Sequence, residues 1–467
     1  MGVNNSNQKT RQVQRRWRQA MLLFPIMLLV MSAVGVIFST APAYAAPVVN
    51  VTTFAGTPAT VGYADGLAAS AQFSWPHDIA FDNAGTMYIA DTTNNRIRTV
   101  SPSGVVSTFA GSGVAGGADG TGTAAQFSSP HSIAINPTTG IIYVTEASIN
   151  PAISPHTPRI RAITPSGVVT TLAGSGVAGV LDGTGTAAQF FFPTGITVNP
   201  TTGMIYIADS YAHSIRAITP GGVVTTLAGF DNITDVAASP NGGYADGTGT
   251  TARFSYPQGL DVDSEGTLYV AEFGGDRVRK VTSTGVVTTI AGSGVRGYAD
   301  GTGLAAQFNQ PAGVVVTSSG TIYVSDTYNN RIRAITPDGV VTTIAGSGTT
   351  GYADGQGLSA EFNAPTGLVL DAAGTLYVTD TYNQLIRRVT ITDPAANPDT
   401  PTDSGQSDTT PGAPNTGLTG GSLANTGAPL VLIAGLALLL VVVAIAILVK
   451  QVHLWPSRLA QSPQDLP

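Results

Sequence analysis

Short apolar segments alternate with turn residues along most of the chain, and their order repeats. Each segment holds four to six residues rich in Val, Ile, Thr and Tyr, and Gly, Pro, Asn or Asp separates it from the next. Such segments are typical of short antiparallel strands. One complete unit consists of PAGVVV at 311–316, GTIYVSD at 320–326, NRIRAI at 330–335 and GVVTTIAG at 339–346. The pattern therefore predicts four strands per unit.

Six such units follow one another between residues 48 and 390, at a mean spacing of about 57 residues. A tyrosine marks the second segment of each unit, at Tyr88, Tyr143, Tyr206, Tyr269, Tyr323 and Tyr377. An acid closes the same segment, at Asp91, Glu146, Asp209, Glu272, Asp326 and Asp380. Four strands repeated six times predict an all-β fold, a six-bladed β-propeller of four-stranded antiparallel blades.

The two ends of the repeat region complement each other. Val51 to Gly56 reads as a fourth segment with no first three before it, whereas the last unit stops after its third segment near Thr390. We expect the N-terminal strand to complete the last blade, because this closes the ring and pairs an open sheet edge. The propeller is then predicted to occupy residues 46–392.

The remaining parts of the chain have other compositions. Cations between Lys9 and Arg18 precede an apolar run and Ala43-Tyr44-Ala45, so residues 1–45 are predicted to be a cleaved signal peptide, with an uncleaved anchor as the alternative. Residues 393–427 are rich in Pro, Thr, Gly and Ser, which predicts a disordered stalk. Residues 428–449 are uncharged and long enough for a transmembrane helix, and Lys450 then predicts a cytoplasmic tail over 450–467.

Composition excludes several classes of protein. The chain has 467 residues and no cysteine, so disulfide scaffolds and thiolate metal sites are excluded. The net charge is −7, and most cations lie in the leader or at repeated positions. Because no basic patch is left, nucleic-acid binding is not expected.

The repeated segments resemble the NHL-repeat propellers, whose blades read Pro-x-Gly-hydrophobic, Gly-x-hydrophobic-Tyr-hydrophobic-Ala-Asp, Asn-x-Arg-Ile-Arg and Val-x-Thr-hydrophobic-Ala-Gly. The resemblance covers about 340 residues. It implies the fold more strongly than a function, because NHL propellers include sensor heads, RNA- or protein-binding domains and a zinc-dependent lyase.

Two repeated features are expected to be structural. The acid that closes the second segment, such as Asp91, is expected to pair with the arginines that follow, such as Arg98, and these arginines are expected to fasten neighbouring blades. The glycine-rich connection 111–129 is expected to turn at Asp119-Gly120 and to pack Phe127 inward.

The candidate binding surface is where the repeat varies. Residues after the repeated proline should rim a central channel, and they differ between blades. The predicted binding residues are His77, Asp78, His131, Ser132, Thr194, Gln258 and Thr366. We expect an extracellular binding module for a surface ligand, glycan or partner protein, with no cofactor and no catalytic residue assigned.

A metal-dependent enzyme of the lyase or lactonase kind is the alternative. It would use histidines that are expected on the same face, namely His77, His131, His156 and His213. Three imidazoles and an open position would suit zinc.

Residues 423–427, LANTG, resemble a sortase sorting signal of the Leu-Pro-x-Thr-Gly type in its Leu-Ala-x-Thr-Gly variant. The resemblance implies cleavage between Thr426 and Gly427 and attachment to the cell wall of a Gram-positive-type bacterium, through Leu423, Ala424, Asn425, Thr426 and Gly427. Simple membrane anchoring by the following helix is the alternative. In either case we expect an exported protein on the cell surface.

Overall fold

The computed structural model of the chain describes residues 47–147, 157–229 and 242–392. The predicted signal peptide, stalk, sorting signal, transmembrane helix and tail lie outside these residues, as does His156. Within the described ranges, no helix has the length and apolar character needed to cross a membrane.

The described residues form six antiparallel sheets of five strands each, arranged as the blades of a propeller. Blade 1 contains β2 (Gly66–Leu67), β3 (Pro76–Phe81), β4 (Met87–Asp91), β5 (Arg96–Val100) and β6 (Val105–Ala110). Blade 2 contains β7 (Gly120–Thr121), β8 (Pro130–Ile135), β9 (Ile142–Glu146), β10 (Arg159–Ile163) and β11 (Val168–Ala173). Blade 3 contains β12 (Gly183–Thr184), β13 (Pro193–Val198), β14 (Ile205–Asp209), β15 (Ser214–Ile218) and β16 (Val223–Gly229).

The second half of the ring has the same organisation. Blade 4 contains β17 (Gly247–Thr248), β18 (Pro257–Val262), β19 (Leu268–Glu272), β20 (Arg277–Val281) and β21 (Val286–Ala291). Blade 5 contains β22 (Gly301–Thr302), β23 (Val314–Val316), β24 (Ile322–Asp326), β25 (Arg331–Ile335) and β26 (Val340–Ala345). Blade 6 contains β27 (Gly355–Gln356), β28 (Pro365–Leu370), β29 (Leu376–Asp380), β30 (Leu385–Thr392) and β1 (Val48–Ala55).

Three-residue 3-10 helices occur in the connections of the described residues. They lie at Gly122–Ala124, Gly185–Ala187, Ser210–Ala212, Gly249–Thr251, Gly303–Ala305, Thr327–Asn329, Gly357–Ser359 and Thr381–Asn383.

The blades have five strands where the sequence predicts four. The extra strand has two residues and comes from the connection that leads into each blade; in blade 1 it pairs Gly66 with Val106 and Leu67 with Val105. It covers the outer edge of the fourth long strand, which a propeller would otherwise leave open. A glycine-containing pair of residues carries no strand pattern, so only the fold could reveal it.

The ring closes as predicted. β1 runs antiparallel to β30 from Val48 opposite Thr392 to Ala55 opposite Ile386, and its other edge pairs with β27. Val51 on this strand is completely buried. The first and last segments of the propeller therefore share one sheet.

A buried arginine organises each blade and the connection leading into it. In blade 1 the Arg98 guanidinium binds the Asp91 carboxylate at 2.8 Å and the Asp65 carboxylate at 2.5 Å, and it also donates to the carbonyl oxygens of Gln72 and Ala64. The equivalent fully buried arginines are Arg161, Arg216, Arg279, Arg333 and Arg387. The predicted pairing of arginine with the strand-end acid is confirmed.

The expectation that these arginines fasten neighbouring blades needs correction. The acids and carbonyls bound by Arg98 belong to its own blade or to the connection just before it. The arginine therefore fixes a long glycine-rich connection in place. Phe127 of the next connection is completely buried, as predicted, and its counterparts are Phe73, Phe190, Phe254, Phe308 and Phe362.

Candidate functional site

The innermost strands of the six blades surround a central cavity of about 330 Å³. All the predicted binding residues lie in its lining, namely His77, Asp78, His131, Ser132, Thr194, Gln258 and Thr366. They occupy the first positions after the repeated proline, so they lie at the end of the channel that we call the mouth. Their position in the channel lining agrees with the expectation, and their role in binding stays a prediction.

Two histidines from adjacent blades lie together at the mouth. The ring centroids of His77 and His131 are 3.6 Å apart at an angle of 39°. The Nδ1 atom of His131 is 3.2 Å from the Thr194 carbonyl oxygen, which orients the ring. Burial lowers the pKa of His131 to about 4, and burial together with the neighbouring His131 lowers the pKa of His77 well below its ordinary value. Both imidazoles are therefore neutral at pH 7.

Asp78 lies one residue deeper and reaches across to blade 2. Its Oδ2 atom accepts hydrogen bonds from the Ser132 hydroxyl and from the Ile133 amide, the latter at 3.1 Å. Burial raises the pKa of Asp78 to about 6, although both hydrogen bonds oppose the shift. On the other side, a Cβ at position 367 would collide with Asp78 and with the His77 backbone, so glycine is needed there.

A second channel carboxylate, Asp261, was not among the predicted site residues. Its oxygens accept hydrogen bonds from the amides of Val262 at 2.8 Å and Val316 at 2.9 Å, and from the Thr197 hydroxyl at 3.4 Å. Burial raises its pKa to about 6 as well. The charge of Asp261 is one of the causes that raise the pKa of Asp78, so the two carboxylates influence each other within one channel.

A signal for Asp261 is present in the sequence. At its position in the innermost strand, the other five blades carry residues without charge, namely Ala80, Ala134, Thr197, Val315 and Val369. An acid that replaces a small or apolar residue in a single repeat cannot be explained by the repeat itself. Comparing every column of the repeat, and not only the positions after the proline, would have found it.

The channel threonines have a structural role as well. The Thr366 hydroxyl is 2.8 Å from the His77 carbonyl oxygen of the neighbouring blade, and the Thr194 hydroxyl is 3.2 Å from the Gln258 carbonyl oxygen. These hydrogen bonds join adjacent innermost strands. Gln258 itself is half-buried in the lining.

Aromatic side chains lie beside the mouth, in the residue before the proline or in the turn after the second long strand. We call these residues the mouth ring: Trp75, Phe192, Tyr211, Tyr256, Phe273, Tyr328 and Tyr382. Three of them are conspicuously exposed, with Trp75 at 47 %, Tyr328 at 48 % and Tyr382 at 43 %.

Ring contacts connect the mouth ring across blade boundaries. Trp75 lies 5.1 Å from Tyr382, and Tyr328 lies 6.0 Å from Phe273. On the opposite side Tyr211 stacks on Phe192 at 4.6 Å and meets the edge of Tyr256 at 5.4 Å. Phe192 in turn lies 6.3 Å from His131, so this side of the aromatic surface continues to the histidine pair.

The backbone before the proline is left-handed in five of the blades, with a φ of 54° at Trp75 and 50° at Tyr256. Glycine adopts this conformation without strain, but a large side chain does not. The five left-handed positions nonetheless carry Trp75, Ser129, Tyr256, Gln310 and Ala364. Two of these positions, Trp75 and Tyr256, thus carry a bulky aromatic residue where the backbone alone would favour glycine.

The histidines do not all converge. The Nδ1 atom of His213 accepts a hydrogen bond from the Tyr256 amide at 3.1 Å, its ring lies against Tyr256, and it is not part of the channel lining. Among the described residues, no three His, Cys, Asp or Glu side chains are placed to hold a metal ion. His156 lies outside the described residues.

Comparison with known proteins supports the repeat assignment. The NHL repeat family matches residues 73–99, 308–335 and 362–388, which lie in blades 1, 5 and 6. The chain is 30 % identical over 288 residues to Protein SUPPRESSOR OF QUENCHING 1, chloroplastic, from Arabidopsis thaliana, covering 60 % of this chain and 26 % of that protein. It is 27 % identical over 363 residues to NHL repeat-containing protein 2 from Gallus gallus, covering 70 % of this chain and 47 % of that protein. The chain thus spans between a quarter and a half of the length of these relatives.

Solved structures share the fold. An auxiliary nutrient binding protein from Bacteroides thetaiotaomicron aligns with a TM-score of 0.55 at 20 % identity, covering 74 % of this chain and 77 % of that chain. A structural genomics protein of unknown function from the same organism aligns with a TM-score of 0.57 at 20 % identity, covering 74 % of this chain and 76 % of that chain. At this level of identity the similarity shows the fold alone. The chain therefore carries NHL repeats and folds as a six-bladed propeller.

Proposed function

We propose that the propeller is a non-enzymatic binding module that takes its ligand at the channel mouth. The proposal rests on where the six blades differ from one another, which is at the channel mouth. The buried arginines and phenylalanines recur in every blade, whereas the exposed aromatic residues and channel polar residues differ from blade to blade. Specificity on a rigid repeat scaffold resides in such variable surface positions.

The site has the ordinary features of a ligand pocket. It is concave, largely apolar and supplied with a few convergent polar groups, which include His77, His131 and Asp78. Aromatic residues at its edge provide large contact areas with little loss of side-chain entropy on binding.

The experiment replaces the mouth residues by those found in the same column of other blades. His77→Thr and His131→Thr reproduce Thr194 and Thr366, while Asp78→Gly and Ser132→Gly reproduce the glycine of the remaining four blades. The matched control is Tyr63→Ala with Val114→Ala, two exposed residues on the repeated outer connections. The full chain is labelled and screened against surface polysaccharides and extracellular proteins.

Wild type and control are expected to bind the same ligands, and the mouth variant is expected to lose them while keeping its melting temperature within a few degrees. Binding of the mouth variant at wild-type strength would overturn the proposed location. A wild-type chain that binds nothing in the screen would count against the binding function itself.

The metal-dependent enzyme remains the competing function, and metal analysis separates the two. Stoichiometric zinc or calcium in the purified chain that disappears in a His77→Ala, His131→Ala double variant would overturn the binding-only proposal. We expect metal content below one-tenth of an equivalent in both proteins.

We also propose that the chain is exported and held at the surface of a Gram-positive-type cell by residues 423–427. Wall attachment predicts that muralytic enzymes release a protein that ends at Thr426, and that Thr426→Ala makes the protein extractable by detergent. Intact peptides from residues 451–467 on most wild-type molecules would instead indicate an uncleaved membrane anchor.

A further inference from the structure

We propose that the mouth ring and the channel together bind an alkylammonium group, carried either by a small quaternary amine or by a lysine side chain of a partner protein. This inference rests on the proposed binding function and names the chemical class of its ligand. It follows from aromatic geometry, from the charges that line the channel and from the size of the cavity.

The mouth ring presents three solvent-exposed aromatic side chains beside the cavity. Trp75, Tyr382 and Tyr328 come from three successive blades and are each more than two-fifths exposed. Trp75 and Tyr382 are in ring contact at 5.1 Å. An ammonium group within about 6 Å of such a ring is attracted by its quadrupole, and tryptophan is the strongest partner.

The channel behind the mouth has one sign of charge. Among the residues of its lining in the described part of the chain, Asp78 and Asp261 are acidic and none is lysine or arginine. His77 and His131 do not compensate for the carboxylates, because burial keeps both imidazoles neutral at pH 7. A concave site lined by one sign of charge raises the local concentration of the opposite charge.

Other buried acids in the propeller do have a cationic partner. The strand-end acids Asp91 and Asp326 each have a fully buried arginine as partner, at 2.8 and 2.6 Å. Asp78 and Asp261 have only neutral hydrogen-bond donors. A cationic ligand would supply the charge that the protein itself does not place beside them.

The cavity suits a small group. Its volume of about 330 Å³ lies at the lower end of the range for small-molecule sites, which is about 300–1,000 Å³. A trimethylammonium head or the end of a lysine side chain fits such a space, whereas an anion would face two uncompensated carboxylates. A neutral sugar is the competing occupant that the experiment must distinguish.

Matched pairs of probes that differ only in charge test the proposal. Binding of choline to the full chain is compared with that of its neutral isostere 3,3-dimethylbutan-1-ol. Binding of Nα-acetyl-lysine amide is compared with that of Nα-acetyl-norleucine amide. The charged member of at least one pair is expected to bind at least tenfold more tightly by calorimetry or ligand-observed NMR at pH 7.5.

Single substitutions test which residues cause the preference for the charged probe. Asp78→Asn and Asp261→Asn should each weaken binding of the charged probe about tenfold, and Trp75→Ala should weaken it at least about fivefold. Asp338→Asn on an exposed turn and Tyr352→Ala on an outer connection are the matched controls and should leave affinity unchanged. The neutral probes should respond to Trp75→Ala but not to the two aspartate changes.

Affinity for the charged probe should fall between pH 7.5 and 5.0. The titratable groups that face the channel are Asp78, Asp261, His77 and His131. Protonation of the two carboxylates, each with a pKa of about 6, removes the negative charge over this interval, while His131, with a pKa of about 4, stays mostly neutral.

Equal affinities within both pairs, or no binding of either cation at 50 mM, would overturn the alkylammonium proposal. The preferred pair tells a small amine from a lysine side chain. If the mouth variants still lose a ligand found in the wider screen, the binding function stands and its ligand is not recognised through an alkylammonium group. If that screen also finds nothing, the binding function fails as well.

Discussion

The buried carboxylates of the arginine clusters have a cationic partner, whereas those of the central channel do not. Each arginine, such as Arg333, is completely buried between two carboxylates and two carbonyl groups, and the arrangement is the same in all six blades. The channel carboxylates Asp78 and Asp261 occur once each, in different columns of the repeat, without a cation. The repeated carboxylates pair with arginines of the scaffold, whereas these two unrepeated carboxylates have only neutral hydrogen-bond donors.

The largest effect is expected from breaking an arginine cluster. Arg333→Met leaves the Asp326 carboxylate buried without its cation, so the free energy of unfolding should fall by about 3–5 kcal/mol in denaturant titrations. Arg331→Ala is the control from the same strand, because Arg331 is only half-buried and donates to the carbonyl oxygens of Asn329 and Ser347. Equal losses for the two variants would show that the carboxylate pairing contributes little.

A smaller effect is expected at the closing strand, which belongs to the repeated scaffold. Val51→Ala removes completely buried methyl groups from the sheet that joins the two ends of the propeller, and should cost about 2 kcal/mol. Val48→Ala on the same strand is the control, because Val48 is 48 % exposed and should change stability by less than about 0.5 kcal/mol. A Val51→Ala variant as stable as wild type would indicate that the closing strand is dispensable.

The same contrast explains what the sequence could predict. Blade number, strand order and ring closure follow from a pattern that is repeated six times, so each repetition confirms the others. The arginine–acid pairing was predictable for the same reason. The two-residue fifth strand was not, because Gly66 and Leu67 have no strand pattern of their own; they follow Asp65, whose carboxylate binds Arg98 in the folded structure.

At the candidate site, prediction was partial for a physical reason. His77 and His131 were found because they follow a recognisable proline. Their contact at 3.6 Å depends on how the blades are arranged around the channel, and no single repeat encodes that arrangement. Asp261 lies three residues further along its strand than the predicted rim, and the aromatic residues of the mouth ring come from two separate turns that only the propeller brings together.

The smallest expected effect is the change in stability when the charge of Asp78 is removed. A gain in stability is expected for an unpaired channel carboxylate, and a loss is expected for a carboxylate that supports the fold. The folded-state pKa of Asp78 is about 6, above the ordinary value of 3.8, and burial is the main cause. The folded protein therefore takes up this proton more readily than the unfolded chain, and stability declines as pH rises from about 4 to above 6. The groups that face Asp78 are His77, His131, Ser132 and the more distant Asp261, and none supplies a positive charge at neutral pH.

Asp78→Asn keeps an oxygen to accept from Ser132 and Ile133 but removes the charge. The variant should be about 1 kcal/mol more stable than wild type at pH 7.5, which is less than a rise in the pKa from 3.8 to about 6 would give without screening by solvent at the channel mouth. The gain should vanish near pH 4, where both proteins are neutral at this position.

Thermal unfolding at pH 4.5, 6.0 and 7.5 measures the difference, with Asp338→Asn as an exposed control that should show no gain. Loss of stability at pH 7.5 would mean that the Asp78 charge supports the fold as Asp326 does, and the distinction between repeated and unrepeated carboxylates would then disappear.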